Sequence, residues 1–195
     1  ELTTGGSIDL SSLAVLPGTG GWTFVDVHGG SELSLPSATT LEDVYLWADG
    51  GGRILVTGAS PATLSWLGFN WSAGGYTALR SHGAGSLIDL SAVRSLNDRF
   101  DDGWIGSSYH TIDAAAGGAV DLGQLTTVTL PVRAEDYLDL ELTTGGSLDL
   151  SSLAVLPGAG GWTYVNVHAG SELSLPSATT LEDAYLWADG GGRIL

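Results

Sequence analysis

Residues 1–55 recur at residues 141–195, offset by 140, and 49 of the 55 positions are identical. Internal repetition at this level constrains the fold more than any other feature, because each copy must bury the same side chains in the same way. The six differences are Ile8/Leu148, Thr19/Ala159, Phe24/Tyr164, Asp26/Asn166, Gly29/Ala169 and Val44/Ala184. Near-identity points to recent duplication within a longer array. The sequence opens inside a unit and stops within an apolar strand pattern, so the parent chain is expected to continue on both sides.

A shorter, irregular repeat lies inside the 140-residue unit. Glycine-rich corners precede alternating apolar residues, whose first anchors are Ile8, Leu33, Ile54, Ile88 and Val120, then Leu148, Leu173 and Ile194. Up to Leu148 the anchors are 25, 21, 34, 32 and 28 residues apart, which together make one unit. Behind the anchors runs a second pattern: Leu10, Leu13, Leu16; Leu35, Ala38, Leu41; Leu90, Val93, Leu96; and Leu122, Leu125, Val128. Taken alone that spacing suits a helix. Each run, however, is short, alternates at its start, and is bounded by glycine or proline, which argues for strands.

Coils of about 21–34 residues fit one turn of a solenoid with three short strands per turn. The predicted fold is all-β: a right-handed parallel β-helix (β-solenoid) with five coils per unit. Residues 1–195 form one continuous segment, with 1–140 a full unit and 141–195 the start of the next. Stacking coils at about 4.8 Å buries each apolar set and gives a rise of roughly 24 Å per unit. Leucine-rich repeats would need an asparagine ladder and a helical segment per repeat, and propeller blades are more regular.

The segments HGAGSLIDLSAVRSL, residues 82–96, and GSELSLPSATTL, residues 30–41, carry a resemblance. In repeat style they are similar to the β-helical arrays of giant bacterial surface proteins, notably those of planctomycetes, which are read as adhesins or matrix proteins. The resemblance covers essentially the whole chain. It implies an exported right-handed β-helix with a structural or adhesive role, and it brings no catalytic residues.

Strand parity sorts the side chains. Charged Asp26 should face water, which puts Phe24 outside and Val25 and Val27 inside. Asp43 and Asp49 likewise put Tyr45 and Trp47 outside, with Val44, Leu46 and Ala48 inside. Candidate contact aromatics are therefore Phe24, Tyr45 and Trp47, with Tyr164, Tyr185 and Trp187 in the second copy. They either cover neighbouring strands or serve lateral packing or sugar stacking. Trp22, Trp66, Trp71 and Trp104 fall in the longer connections, where they are expected to plug the core rather than bind a ligand.

Reactive constellations are scarce. The chain has no cysteine, methionine or lysine, so thiolate and lysine chemistry are excluded. No nucleophile elbow, phosphate-binding loop, zinc-protease motif or calcium nonapeptide occurs. Asp101–Asp102, near Asp98 and His110, is the densest acidic pair, and its Asp/Gly/Ser-rich setting reads as a solvated turn. His28, His82 and His168 read as surface histidines. Asn70-Trp71-Ser72 is only a formal glycosylation sequon.

One acidic column stands out. The outward residue after each anchor is Asp9, Ser34, Leu55, Asp89, Asp121 and Asp149, so three successive coils should present Asp89, Asp121 and Asp149. Stacked like charges destabilise a sheet. Either water and salt screen them or a cation bridges them, and calcium suits hard oxygen ligands.

A formal net charge of −16 opposes nucleic acid and anionic lipid. No apolar run is long enough for a membrane span, so no membrane insertion is expected. The sequence thus predicts a non-enzymatic structural or adhesive fibre segment, extracellular or at the cell surface. It should self-associate or form part of a longer covalent array, contact surface glycans at most, and require no cofactor, with calcium the one candidate ion. The alternative is a carbohydrate-binding or carbohydrate-cleaving β-helix. An ice-binding face, suggested by Thr3-Thr4, Thr39-Thr40 and Thr126-Thr127, is a weaker third reading.

Overall fold

The computed structural model describes residues 1–18, 21–68, 74–101, 103, 106–158 and 160–195. Its 22 strands form a parallel β-helix with three walls, and no helix occurs among the described residues. The first wall is an eight-stranded sheet of three- and two-residue strands: β1 (Ser7–Asp9), β4 (Glu32–Ser34), β7 (Arg53–Leu55), β10 (Leu87–Asp89), β13 (Ala119–Asp121), β16 (Ser147–Asp149), β19 (Glu172–Ser174) and β22 (Arg193–Ile194). The second holds β2 (Val15–Leu16), β5 (Thr40–Glu42), β8 (Ala62–Ser65), β11 (Val93–Asn97) and β14 (Thr127–Thr129), with β17 (Val155–Leu156) and β20 (Thr180–Leu181) as a separate pair. The third has the longest strands: β3 (Thr23–His28), β6 (Val44–Asp49), β9 (Gly74–His82), β12 (Ser108–Ala115), β15 (Tyr137–Thr143), β18 (Trp162–Val167) and β21 (Ala184–Ala188).

The anchors predicted from glycine-bounded alternation form one ladder down the first wall. Ile8 pairs with Leu33, Leu33 with Ile54, Ile54 with Ile88, and Ile88 with Val120. The run continues through Leu148, Leu173 and Ile194 without a shift of register. From Leu33 to Leu173 every anchor is buried. Ile8, in the first coil, is 45% exposed, with no strand on its outer side. Leu16, Leu41, Leu64, Leu96 and Val128 make the matching ladder of the second wall. Ser81, Ser108, His110 and Thr163 interrupt the aliphatic interior on the third.

Two corner types join the walls. At the first, the L-x-x-L spacing that imitates a helix is a turn closed by a backbone bond from the last residue to the first. It recurs at Leu10/Leu13, Leu35/Ala38, Leu90/Val93, Leu122/Leu125 and Leu150/Leu153, with distances of 2.8–3.2 Å. The second corner follows the third wall. In His28-Gly29-Gly30-Ser31, Ser31 N–H donates to the His28 carbonyl at 3.0 Å, and φ is +59° and +73° at the two central residues. Positive φ at both positions is what a type I′ turn demands and what glycine supplies without strain. The second copy keeps the turn with Ala169 at φ +51°. Gly52, just beyond the next corner, is required for another reason: a Cβ there would lie 1.9 Å from the Val27 carbonyl oxygen of the coil before.

Candidate functional site

Three groups of polar or aromatic side chains come together on this scaffold. The first is the predicted acidic column. Asp89 is the register partner of Asp121, and Asp121 of Asp149. Each carboxylate already has a local role. Asp89 Oδ1 accepts from Ser91 N–H at 3.0 Å, Asp121 Oδ1 from Gly123 N–H at 2.8 Å, and Asp149 Oδ1 from Ser151 N–H at 2.8 Å. Asp9 accepts from Ser11 in the same way. The aspartate folds back on the backbone two residues ahead and starts the L-x-x-L corner. Where that later residue is Pro36 or Pro176, which has no N–H, the column holds Ser34 or Ser174 instead. Partial burial pushes the Asp121 carboxyl up, and its neighbours Asp89 and Asp149 add to this. A shallow groove beside Asp121 and Asp149 is lined by Ala119, Ser147 and Glu172. One oxygen of each aspartate remains outside its turn, so the donor chemistry suits a hard cation.

The second group lies on the outer face of the third wall near the glycine corner. Asp26 and His28 share a face of β3, and Asp49 is the register partner of His28. His28 Nε2 is 2.6 Å from Asp26 Oδ1, while its Nδ1 is 3.9 Å from Asp49 Oδ2. These three residues bring possible metal-ligand atoms within 4.8 Å of one another. The two carboxylates address opposite nitrogens of one ring, though, and a metal occupies only one nitrogen at about 2.0–2.1 Å. The arrangement suits an imidazole spanning two carboxylates. Asp49, not His82, is the next residue down the column from His28, and His82 follows it. His82 contacts Asp113 at 2.6 Å and His168 contacts Asp189 at 2.5 Å, in each case across adjacent coils. His82 and His168 therefore clasp neighbouring coils, whereas the short contact of His28 is to Asp26 on its own strand, and no shared local motif marks the three.

The third group is buried. His110 Nδ1 lies 2.6 Å from Asp98 Oδ1, and both side chains are 0% exposed. The Tyr45 hydroxyl approaches His110 Nε2 at 3.4 Å. The ring thus bridges the carboxylate and the phenol through its two nitrogens. Burial pushes Asp98 up to about 6, partly offset by His110. Trp66 and Phe100 pack on the His110 ring. A tyrosine–histidine–aspartate chain resembles a proton relay, but a substrate has no access to any member. It works as a clasp between β6, β12 and the residue after β11.

That burial corrects one expectation. Tyr45 is 1% exposed and is not a contact aromatic. Trp22 stacks on its ring at 4.8 Å, and Phe24 does so at 5.0 Å. Phe24 itself is 59% exposed. Trp47 is half-covered: its indole N–H donates to the Thr77 carbonyl at 2.9 Å, and Arg80 sits over the ring. Tyr164, Tyr185 and Trp187 are exposed, the last two in the final coil, which has no strand beyond it. Trp66 is fully buried and donates to the Val44 carbonyl, as a plug should. Asp101 occupies an exposed turn and accepts from Gly103 N–H. Trp71, Trp104, Asp102 and the Asn70-Trp71-Ser72 sequon lie outside the described residues.

No protein-family model, no curated protein and no solved structure matches this chain.

Proposed function

We propose that this chain is a segment of an extracellular structural or adhesive fibre built from tandem β-helix units. One observation carries the reading. The two near-identical copies occupy the same walls in the same order, and the anchor ladder passes from Val120 to Leu148 in unbroken register. Adding units to such a solenoid lengthens a rod and requires no new fold. The repeat style shared with giant bacterial surface proteins points the same way, as does the charge of each unit. Residues 1–140 contain 16 acidic and 5 basic side chains, which keeps rods apart until cations screen them. Calcium on the Asp89–Asp121–Asp149 column would serve as such a cation and is no catalytic cofactor.

Carbohydrate binding is the second reading, favoured by the open outer face of Phe24 and the exposure of Trp162. Most of the neighbouring rings, however, turn their faces toward each other. Immunogold labelling of the source cells with antibody against this chain tests the fibre reading. Label along surface filaments or matrix is expected, and label confined to the cytosol would overturn it. A glycan array probed with the same chain separates the two readings.

A further inference from the structure

The outer face of the third wall carries an unbroken run of phenols. Tyr109 and Tyr137 are register partners on β12 and β15. Their ring centroids are 4.4 Å apart and their planes 12° from parallel. Tyr137 meets Tyr164 at 4.6 Å, and Tyr164 meets its register partner Tyr185 at 5.7 Å. Four tyrosines on four successive coils are thus in ring contact. The chain has six tyrosines and neither cysteine nor methionine. The sulfur groups that oxidants attack first are missing, so aromatic rings are left to lose electrons. Tyr164 is 36% exposed, which gives a small oxidant an entry point to the run.

We propose that Tyr109, Tyr137 and Tyr164 form a site of oxidative modification, at which dityrosine bonds join adjacent coils covalently. The oxidant is a one-electron acceptor of the peroxidase or photo-oxidant class. Each of two touching phenols gives up one electron and its hydroxyl proton, leaving two phenoxyl radicals. Their unpaired electrons combine into one carbon–carbon bond between ring Cε atoms, the positions next to the hydroxyl. The proton on each bonded Cε then moves to the phenolic oxygen and restores aromaticity. Two electrons and two protons leave in all. With hydrogen peroxide as terminal acceptor they appear as two waters, and the protein is lighter by two hydrogens. Near-parallel stacking, as in Tyr109–Tyr137, sets the Cε atoms of one ring over the other, the approach this bond needs. Burial, with Tyr109 and Asp139 beside it, pushes the Tyr137 phenol above its ordinary range, so it meets the oxidant as a neutral phenol. The bond would tie residues 28 or 27 positions apart in sequence, on neighbouring turns of the solenoid.

The test is brief illumination of the dilute full chain with tris(bipyridyl)ruthenium(II) and persulfate, followed by digestion and peptide mass mapping. The expected product is a monomer two hydrogens lighter, with Tyr137 joined to Tyr109 or Tyr164 and a higher melting temperature. Tyr137→Phe should reduce the intramolecular product at least tenfold. Tyr109→Phe should move the whole yield to Tyr137–Tyr164, while Tyr76→Phe should change nothing. Circular dichroism verifies that each variant is folded, and Tyr109→Phe alone decides the matter if Tyr137→Phe is not. Dityrosine found only between chains, links spread evenly over all six tyrosines, or a Tyr109–Tyr137 yield unaffected by its own variants would overturn the proposal.

Discussion

The side-chain amide of Asn166 donates to Asp139 Oδ1 at 3.3 Å, at one of the few positions where the second copy departs from the first. Asn166 is also the register partner of Glu141, which in turn pairs with Asp113. Both Asn166 and its counterpart Asp26 have a tryptophan, Trp187 or Trp47, as a register partner, but Asp26 has His28 against its carboxylate. An aspartate is tolerated there, whereas at position 166 it would add a further carboxylate to a face that already holds Asp113, Asp139 and Glu141. Asn166→Asp should therefore lower stability by about 0.5–1.5 kcal/mol, combining cross-strand repulsion with a lost hydrogen bond. Urea denaturation at neutral pH measures this, and the deficit should shrink in mild acid. An unchanged midpoint would mean that the amide relieves nothing.

Stability should fall as pH rises from about 3.8 to about 6. Burial lifts Asp98 to about 6, and burial with Glu141 does the same for Asp139, against 3.8 for an ordinary aspartate. The folded state binds these protons more tightly than the unfolded chain. The stability they contribute is fully present below pH 3.8 and is lost as pH passes 6. For fully buried Asp98 the effect is on the order of 2 kcal/mol. Asp9 and Asp189 have carboxyls lowered by hydrogen bonds from Ser11 and His168, so they act in the opposite sense, below the interval named. Thermal melts across this range, repeated with Asp98→Asn, are the measurement. The variant should show a flatter profile, and a melting temperature that rises with pH would contradict the assignment.

Asp121 separates turn-making from cation binding. Asp121→Ala removes the acceptor for Gly123 N–H and should cost about 0.5–1.5 kcal/mol. Asp121→Asn retains an acceptor oxygen and removes the middle charge, so it should match or exceed the parent chain in chelator. If an ion bridges the column, millimolar calcium should raise the parent melting temperature more than sodium at equal ionic strength, and Asp121→Asn should abolish the difference. Equal effects of the two salts would leave the column as turn caps alone.

Much of this architecture is legible in the residues themselves. Ile8, Leu33, Ile54, Ile88 and Val120 follow glycine corners closely enough that their ladder can be counted from spacing. Facing is less secure. Parity groups Tyr45 with exposed Phe24, but Trp22 and Tyr76 from other parts of the chain pack on its ring and it is buried. Asp98 and His110 sit 12 residues apart across an irregular connection, so nothing local marks them as a buried pair. The turn role of the acidic column is written in the contrast between D-L-S or D-L-G and S-L-P. A reading that follows charge alone does not see it.

A rod requires the two copies to belong to one continuous solenoid, and Ser34 and Ser174 measure that directly. They are equivalent residues one unit apart, on β4 and β19, five strand steps along the first wall. Spin labels on cysteines introduced at both positions should give, by double electron–electron resonance, a narrow distance distribution. It should centre near 24 Å along the axis, widened only by the label tethers. A broad distribution, or a mean beyond about twice that value, would place the copies in separate domains and contradict the continuous parallel β-helix.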